Sequence, residues 1–69
     1  MSWSTIPPAH QSAIAAALTS KQLDVYKLHL AGCGYRRISL MLDINPSTVR
    51  THLDSAMLKI RKLDEQEAA

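Results

Sequence analysis

The sequence predicts an all-α domain, a small four-helix fold containing a helix-turn-helix, and three observations predict it. The hydrophobic residues are almost all aliphatic: they make up 46% of the chain, aromatics only 4%, and Phe is absent. That composition suits packed helices better than sheets. Apolar residues recur at helical spacing, most plainly at Val49, Leu53, Ala56, Ile60 and Leu63, whose steps of four, three, four and three residues keep one face apolar. Finally, the run Asn45-Pro46-Ser47-Thr48-Val49-Arg50-Thr51-His52-Leu53 reads as a capped helix start with a polar, basic first turn. A chain of 69 residues holds one small core. Such a core supplies only about 3–5 kcal/mol, so either marginal stability or a partner is expected.

The elements follow in order. Residues 1–8, with Ser, Thr and a Pro-Pro pair, form an arm expected to be extended. Ala9 to Leu18 is Ala-rich, with Ile14 and Leu18 four apart, and predicts a short helix. Thr19 or Ser20 caps a second helix through about Ala31, whose apolar residues make a broad face, and Gly32 ends it as a left-handed C-terminal cap. Tyr35 to Leu42 is a third helix, with Ile38, Met41 and Leu42 on one side. Asp43-Ile44 is a tight turn. Asn45 then caps the last helix, and Pro46 stands at its first position, where a missing N–H costs nothing. The helix-turn-helix domain therefore spans residues 9–63, and residues 64–69 are an acidic tail expected to fray. The starting Met and this acidic end are those expected of a whole chain rather than an excised domain.

Charge separates along the chain. All eight basic residues lie between Lys21 and Lys62, among three acids, Asp24, Asp43 and Asp54, so that stretch carries +5; Asp64, Glu65 and Glu67 then bring the net charge to +2. A basic body suits a nucleic-acid binder, whose affinity comes largely from phosphate neutralisation. An enzyme is excluded on this reading: there is no glycine-rich phosphate loop, no scaffolded nucleophile and base, and no small-molecule substrate pocket is expected from four short helices. No cofactor is expected. His10, His29 and His52 lack the spacing and companions of a metal site. Cys33, the single cysteine, excludes an internal disulfide, is expected to be a small buried hydrophobe, and fits a reducing cytoplasm; as a nucleic-acid binder the protein is expected at the nucleoid there. No apolar run approaches the roughly 18 residues of a membrane span.

Two helices joined by a three-residue turn, the second basic at its start, are the pattern of a helix-turn-helix. The sequence here resembles two families. Leu18-Thr19, Val25, Gly32, Ile38, Leu42, Ile44 and the run Ser47 to Leu53 fall at the spacing of the DNA-binding domain of LuxR-type response regulators. Tyr35 after the glycine, Thr48-Val49, Ala56 and Lys59-Ile60-Arg61 are similar to region 4 of bacterial sigma factors. The resemblance implies that Ile38, Leu42, Ile44, Val49 and Leu53 form the buried framework. It implies that Ser39 is the small residue where the two helices cross. It implies that Thr48, Arg50 and Thr51 meet DNA bases, Arg50 foremost because a guanidinium pairs bidentately with guanine. Asn45 and Ser47, with the helix N-terminal N–H groups, would hold phosphate, as would Arg36, Arg37 and the hydroxyl of Tyr35. The chain departs from these families in three places. Asp43 stands where glycine is common in the turn, Gly34 where serine usually caps the third helix, and Arg36-Arg37 where a mixed or acidic pair is common. The separate last helix of LuxR domains has no counterpart.

Two functions are compatible with these residues. One is a sequence-specific regulator of transcription that inserts helix 45–63 into the major groove of double-stranded DNA. The other is a helix-turn-helix protein-interaction module, of a kind a phage would encode, acting on RNA polymerase, a sigma factor or another host protein. The polar, cationic turn favours the first. Trp3 either folds back over the core or stands as an anchor for a protein partner. Met57, Leu58 and Leu63 lie beyond what the core needs and either cover a partner or pack on the first helix. A homodimer or a partner from the transcription machinery is expected, because one recognition helix buries little surface on DNA.

Overall fold

The computed structural model of the protein describes residues 2–68, so Met1 of the expected arm and Ala69 of the expected tail lie outside the described residues. All regular structure among them is helical: a single 3₁₀ turn at Trp3–Thr5, then α1 (Pro8–Ala17), α2 (Ser20–Leu30), α3 (Tyr35–Leu42) and α4 (Pro46–Ala68). The all-α fold read from the sequence is therefore the observed one.

Local chemistry explains most boundaries. Helix α1 begins at Pro8, not Ala9, because a proline at the first position needs no hydrogen bond for its nitrogen. It stops at Ala17; Leu18 is extended, yet buried. Thr19 caps α2 in a reciprocal capping box: Gln22 N–H donates to Thr19 Oγ1 at 3.2 Å and Thr19 N–H to Gln22 Oε1 at 3.1 Å. Gln22 Oε1 also accepts from Lys59 Nζ at 2.8 Å, tying the start of α2 to α4. At the other end, Gly32 N–H donates to His29 O and Cys33 N–H to Leu28 O, with Gly32 at φ +95°. These are the paired bonds of a Schellman cap, with glycine at its left-handed position.

The core is one cluster. Ile14, Val25, Ile38, Val49 and Ala56 are essentially inaccessible, and Ile6, Leu18, Tyr26, Leu53 and Ile60 complete it. Leu42, Ile44 and Leu63 are half-buried against it. Two expectations change here. Helical spacing puts Met41 on the side of Ile38 and Leu42, but it is 56% exposed and Leu40 78%. An eight-residue helix lying on α4 turns only a narrow flank inward, and Ile38 and Ser39 fill it. Helix α4 also runs on to Ala68, past the expected end at Leu63. Its 23 residues rise roughly 34 Å, close to the 37 Å long dimension of the molecule.

The arm is not extended. Trp3–Thr5 turns as 3₁₀, Gln11 Nε2 donates to the Trp3 carbonyl at 2.8 Å, and Ile6 enters the core. The Trp3 indole meets the Tyr26 ring edge-to-face at 6.5 Å, and Lys27 Nζ stands 4.9 Å from its centroid. Trp3 is thus half-buried by its own chain, which removes much of the surface an exposed anchor would offer. Cys33 is half-buried rather than fully buried.

Candidate nucleic-acid interface

The turn between α3 and α4 sets the geometry of the site. Asp43 sits in the left-handed region at φ 54°, ψ 49°, and Ile44 N–H donates to Ser39 O at 3.0 Å. This is again a Schellman-type ending, with Asp in the place glycine commonly takes. Asp tolerates that conformation better than most residues. Ser39, 6% exposed, donates its hydroxyl to Arg36 O at 2.6 Å, so the small residue at the helix crossing leaves no polar atom unpaired.

Asn45 caps α4 through both ends of its residue. Its Oδ1 accepts from Ser47 N–H at 2.9 Å and from Ser47 Oγ at 2.8 Å, and its carbonyl accepts from Thr48 N–H and Val49 N–H. The consequence corrects one expectation. Pro46 has no N–H, and the next three N–H groups are all engaged by Asn45. The helix terminus therefore presents no unpaired N–H to a phosphate. Ser47 likewise has its one O–H on Asn45, leaving acceptor lone pairs outward. Asn45 retains its amide NH₂ as a donor.

The outward turn is otherwise open. The Arg50 side chain is 72% exposed, while Val49 beside it is fully buried and Leu53 nearly so. Thr48 is half-exposed and Thr51 exposed; Thr51 Oγ1 donates to Ser47 O at 3.0 Å. Arg50 Nε lies 3.9 Å from Asp54 Oδ2, an exposed contact one turn on that contributes little in water. Sequence reading passed over Asp54 here, although the i,i+4 spacing was visible. Tyr35, Arg36 and Arg37 are exposed on the first turn of α3. That helix has eight residues, so they stand roughly 10 Å along its axis from the turn. Met57 and Leu58 are exposed farther along α4, at 47% and 55%, whereas Leu63 is half-buried.

A short helix, a left-handed turn and a capped second helix with its basic side outward define a helix-turn-helix domain. Residues 12–60, well over half of the chain, match the family described as sigma-70, region 4. The chain belongs to that family, and with it to domains whose role is DNA binding or work with RNA polymerase. This match bears on the sigma half of the resemblance and does not extend to the LuxR-type half. No curated protein and no solved structure matches the chain. Among the described residues, no helix is long and apolar enough to cross a membrane.

Proposed function

We propose that this protein is a sequence-specific double-stranded DNA-binding regulator of transcription that places the first turns of α4 in the major groove. The observation that carries the reading is Arg50: an exposed guanidinium on a helix turn whose opposite side is anchored by Val49 and Leu53 and whose start is locked by Asn45. A base-reading side chain needs such a fixed platform, because loose geometry forfeits the bidentate bond. Thr48 and Thr51 flank Arg50 as further base contacts. Tyr35, Arg36 and Arg37, roughly one helix length away, are spaced to reach backbone phosphate beside a groove about 12 Å wide. Asn45 joins them through its amide, and Ser47 contributes by releasing its bond to Asn45. The protein would act sterically or by recruitment, with no catalytic step, at the nucleoid in the cytoplasm.

A second reading is supported by a separate observation. Leu40, Met41, Met57 and Leu58 are exposed apolar residues, more than a domain used only against phosphate and base edges requires. They favour a helix-turn-helix module that docks on RNA polymerase, a sigma factor or another host protein.

Selection from randomised duplex DNA at about 150 mM salt, where long-range charge effects are screened, separates the two. Recovery of a short motif that is lost with Arg50→Ala supports the regulator. Recovery of random sequence by the folded protein rules out base readout and leaves the docking module.

A further inference from the structure

We infer that the outer face of α4 is a self-pairing surface, on which two copies of this chain pack antiparallel through Met57 and Leu58 with Asp54 of each copy facing Arg61 of the other. Val49, Leu53, Ala56 and Ile60 turn one side of α4 into the core. Asp54, Leu58, Arg61 and Glu65 step by four, three and four residues along the side away from it, and all four are exposed. Asp54, Met57, Leu58 and Arg61 border a shallow groove of about 450 Å³. Helix α4 is far longer than α3, and among the described residues no other element covers this face.

The order of residue types names the occupant. Reading along α4, an acid precedes the apolar pair by three or four residues and a base follows it at the same distance. A two-fold axis between Met57 and Leu58 therefore brings Met57 opposite Leu58 and Asp54 opposite Arg61, each twice. The same axis brings Arg50 opposite Glu65. Every charged match is attractive. A parallel pair would instead oppose Asp54 to Asp54 and Arg61 to Arg61, so charge selects the antiparallel arrangement. Within one chain these groups are poorly satisfied: among the described residues Asp54 has only the 3.9 Å contact to Arg50, and Arg61 has no ion pair.

The patch is small, so association belongs to the weak class, with Kd of about 0.1–1 mM. Pairing also lays the second copy's Glu65 over Arg50. On the DNA-binding reading above, and resting on it, self-pairing and groove insertion exclude one another. The pair would then be a masked form rather than a reader of two half-sites.

The test needs no DNA, so its failure leaves the DNA reading untouched. Sedimentation of the full chain at about 0.1–1 mM is compared for wild type, Asp54→Arg, Arg61→Asp and an equimolar mixture of the two variants, with helix content followed by circular dichroism. Wild type is expected to dimerise. Each variant alone places like charges opposite each other twice and is expected to sediment as a monomer. The mixture restores both attractions and is expected to recover a dimer holding one of each chain. General charge repulsion predicts a different pattern, since one substitution adds two positive charges and the other removes two. Leu58→Ser, an exposed uncharged change, must also dissociate the pair. A monomeric wild type over that range, variants that still dimerise, or a mixture that stays monomeric would overturn the proposal.

Discussion

Among the described residues Asp43 is the one non-glycine in the left-handed region, and its cost is measurable. A left-handed residue with a Cβ is disfavoured by roughly 1–2 kcal/mol, partly relieved for Asp. Asp43→Gly is therefore expected to raise stability by up to about 1 kcal/mol, seen as a higher midpoint in urea denaturation; a lower midpoint would show that the carboxylate supports the turn. Arg50 and Arg36 predict a different contrast. Arg50→Ala should weaken the preferred site by about 1–3 kcal/mol and relax preference at one base pair. Arg36→Ala should weaken all sequences alike and lower the slope of log K against log salt by about one unit. Titrations of cognate and scrambled duplexes at several salt concentrations check both. A uniform loss with Arg50→Ala would return that residue to the phosphate class.

At the scale of the element, α4 does two jobs along its length. Its first turns carry the exposed polar face, and its inner stripe is the spine on which α1, α2 and α3 all pack. Leu53 belongs to both regions by position and to the core by burial, at 4% exposed. Leu53→Ala should cost about 2–5 kcal/mol, most of the stability of so small a domain. Circular dichroism during heating is the check, and a variant melting within a few degrees of wild type would contradict the buried-spine assignment. The start of α4 is fixed by chemistry that the residue types announce, since Asn and Pro in that order cap and begin a helix. The inward flank of α3 was harder to read: Ile38, Met41 and Leu42 share helical spacing, but only the crossing with α4 determines that Met41 faces water.

Across the whole molecule the N-terminal arm closes the bundle over Tyr26. Burial, and then the negative charge of Asp64, raise the Tyr26 phenol above its ordinary value of 10.0. The folded state thus prefers the neutral phenol. Its contribution to stability is complete below about pH 10, where the unfolded tyrosine begins to ionise, and is lost as pH rises through the folded value. Wild type is expected to lose more stability than Tyr26→Phe between about pH 9.5 and 11 in urea titrations. Equal losses would mean that the phenol is not held neutral by the fold. Helix α1 and the far end of α4 meet near this ring, where His10 Nε2 lies 3.7 Å from Asp64 Oδ1. Residues outside the family-matched span of 12–60 thus complete the core, with Ile6 inside it.

What the sequence by itself determined is what local chemistry controls. Helical periodicity, the Asn45-Pro46 start, Gly32 as a left-handed cap and the tolerance of Asp43 for the same conformation follow from residue types at short spacing. So do the all-α class and the inward Val49, Leu53, Ala56 and Ile60. Tertiary structure decided what depends on distant segments meeting. It folded Trp3 onto Tyr26 and Lys27, tied Gln22 to Lys59, turned Met41 outward and left Met57 and Leu58 uncovered while drawing Leu63 in. It also showed that Asn45 already occupies the N–H groups expected to hold phosphate. Periodicity gives the direction of a side chain around its own helix. Whether another helix stands in that direction is a property of the packed chain.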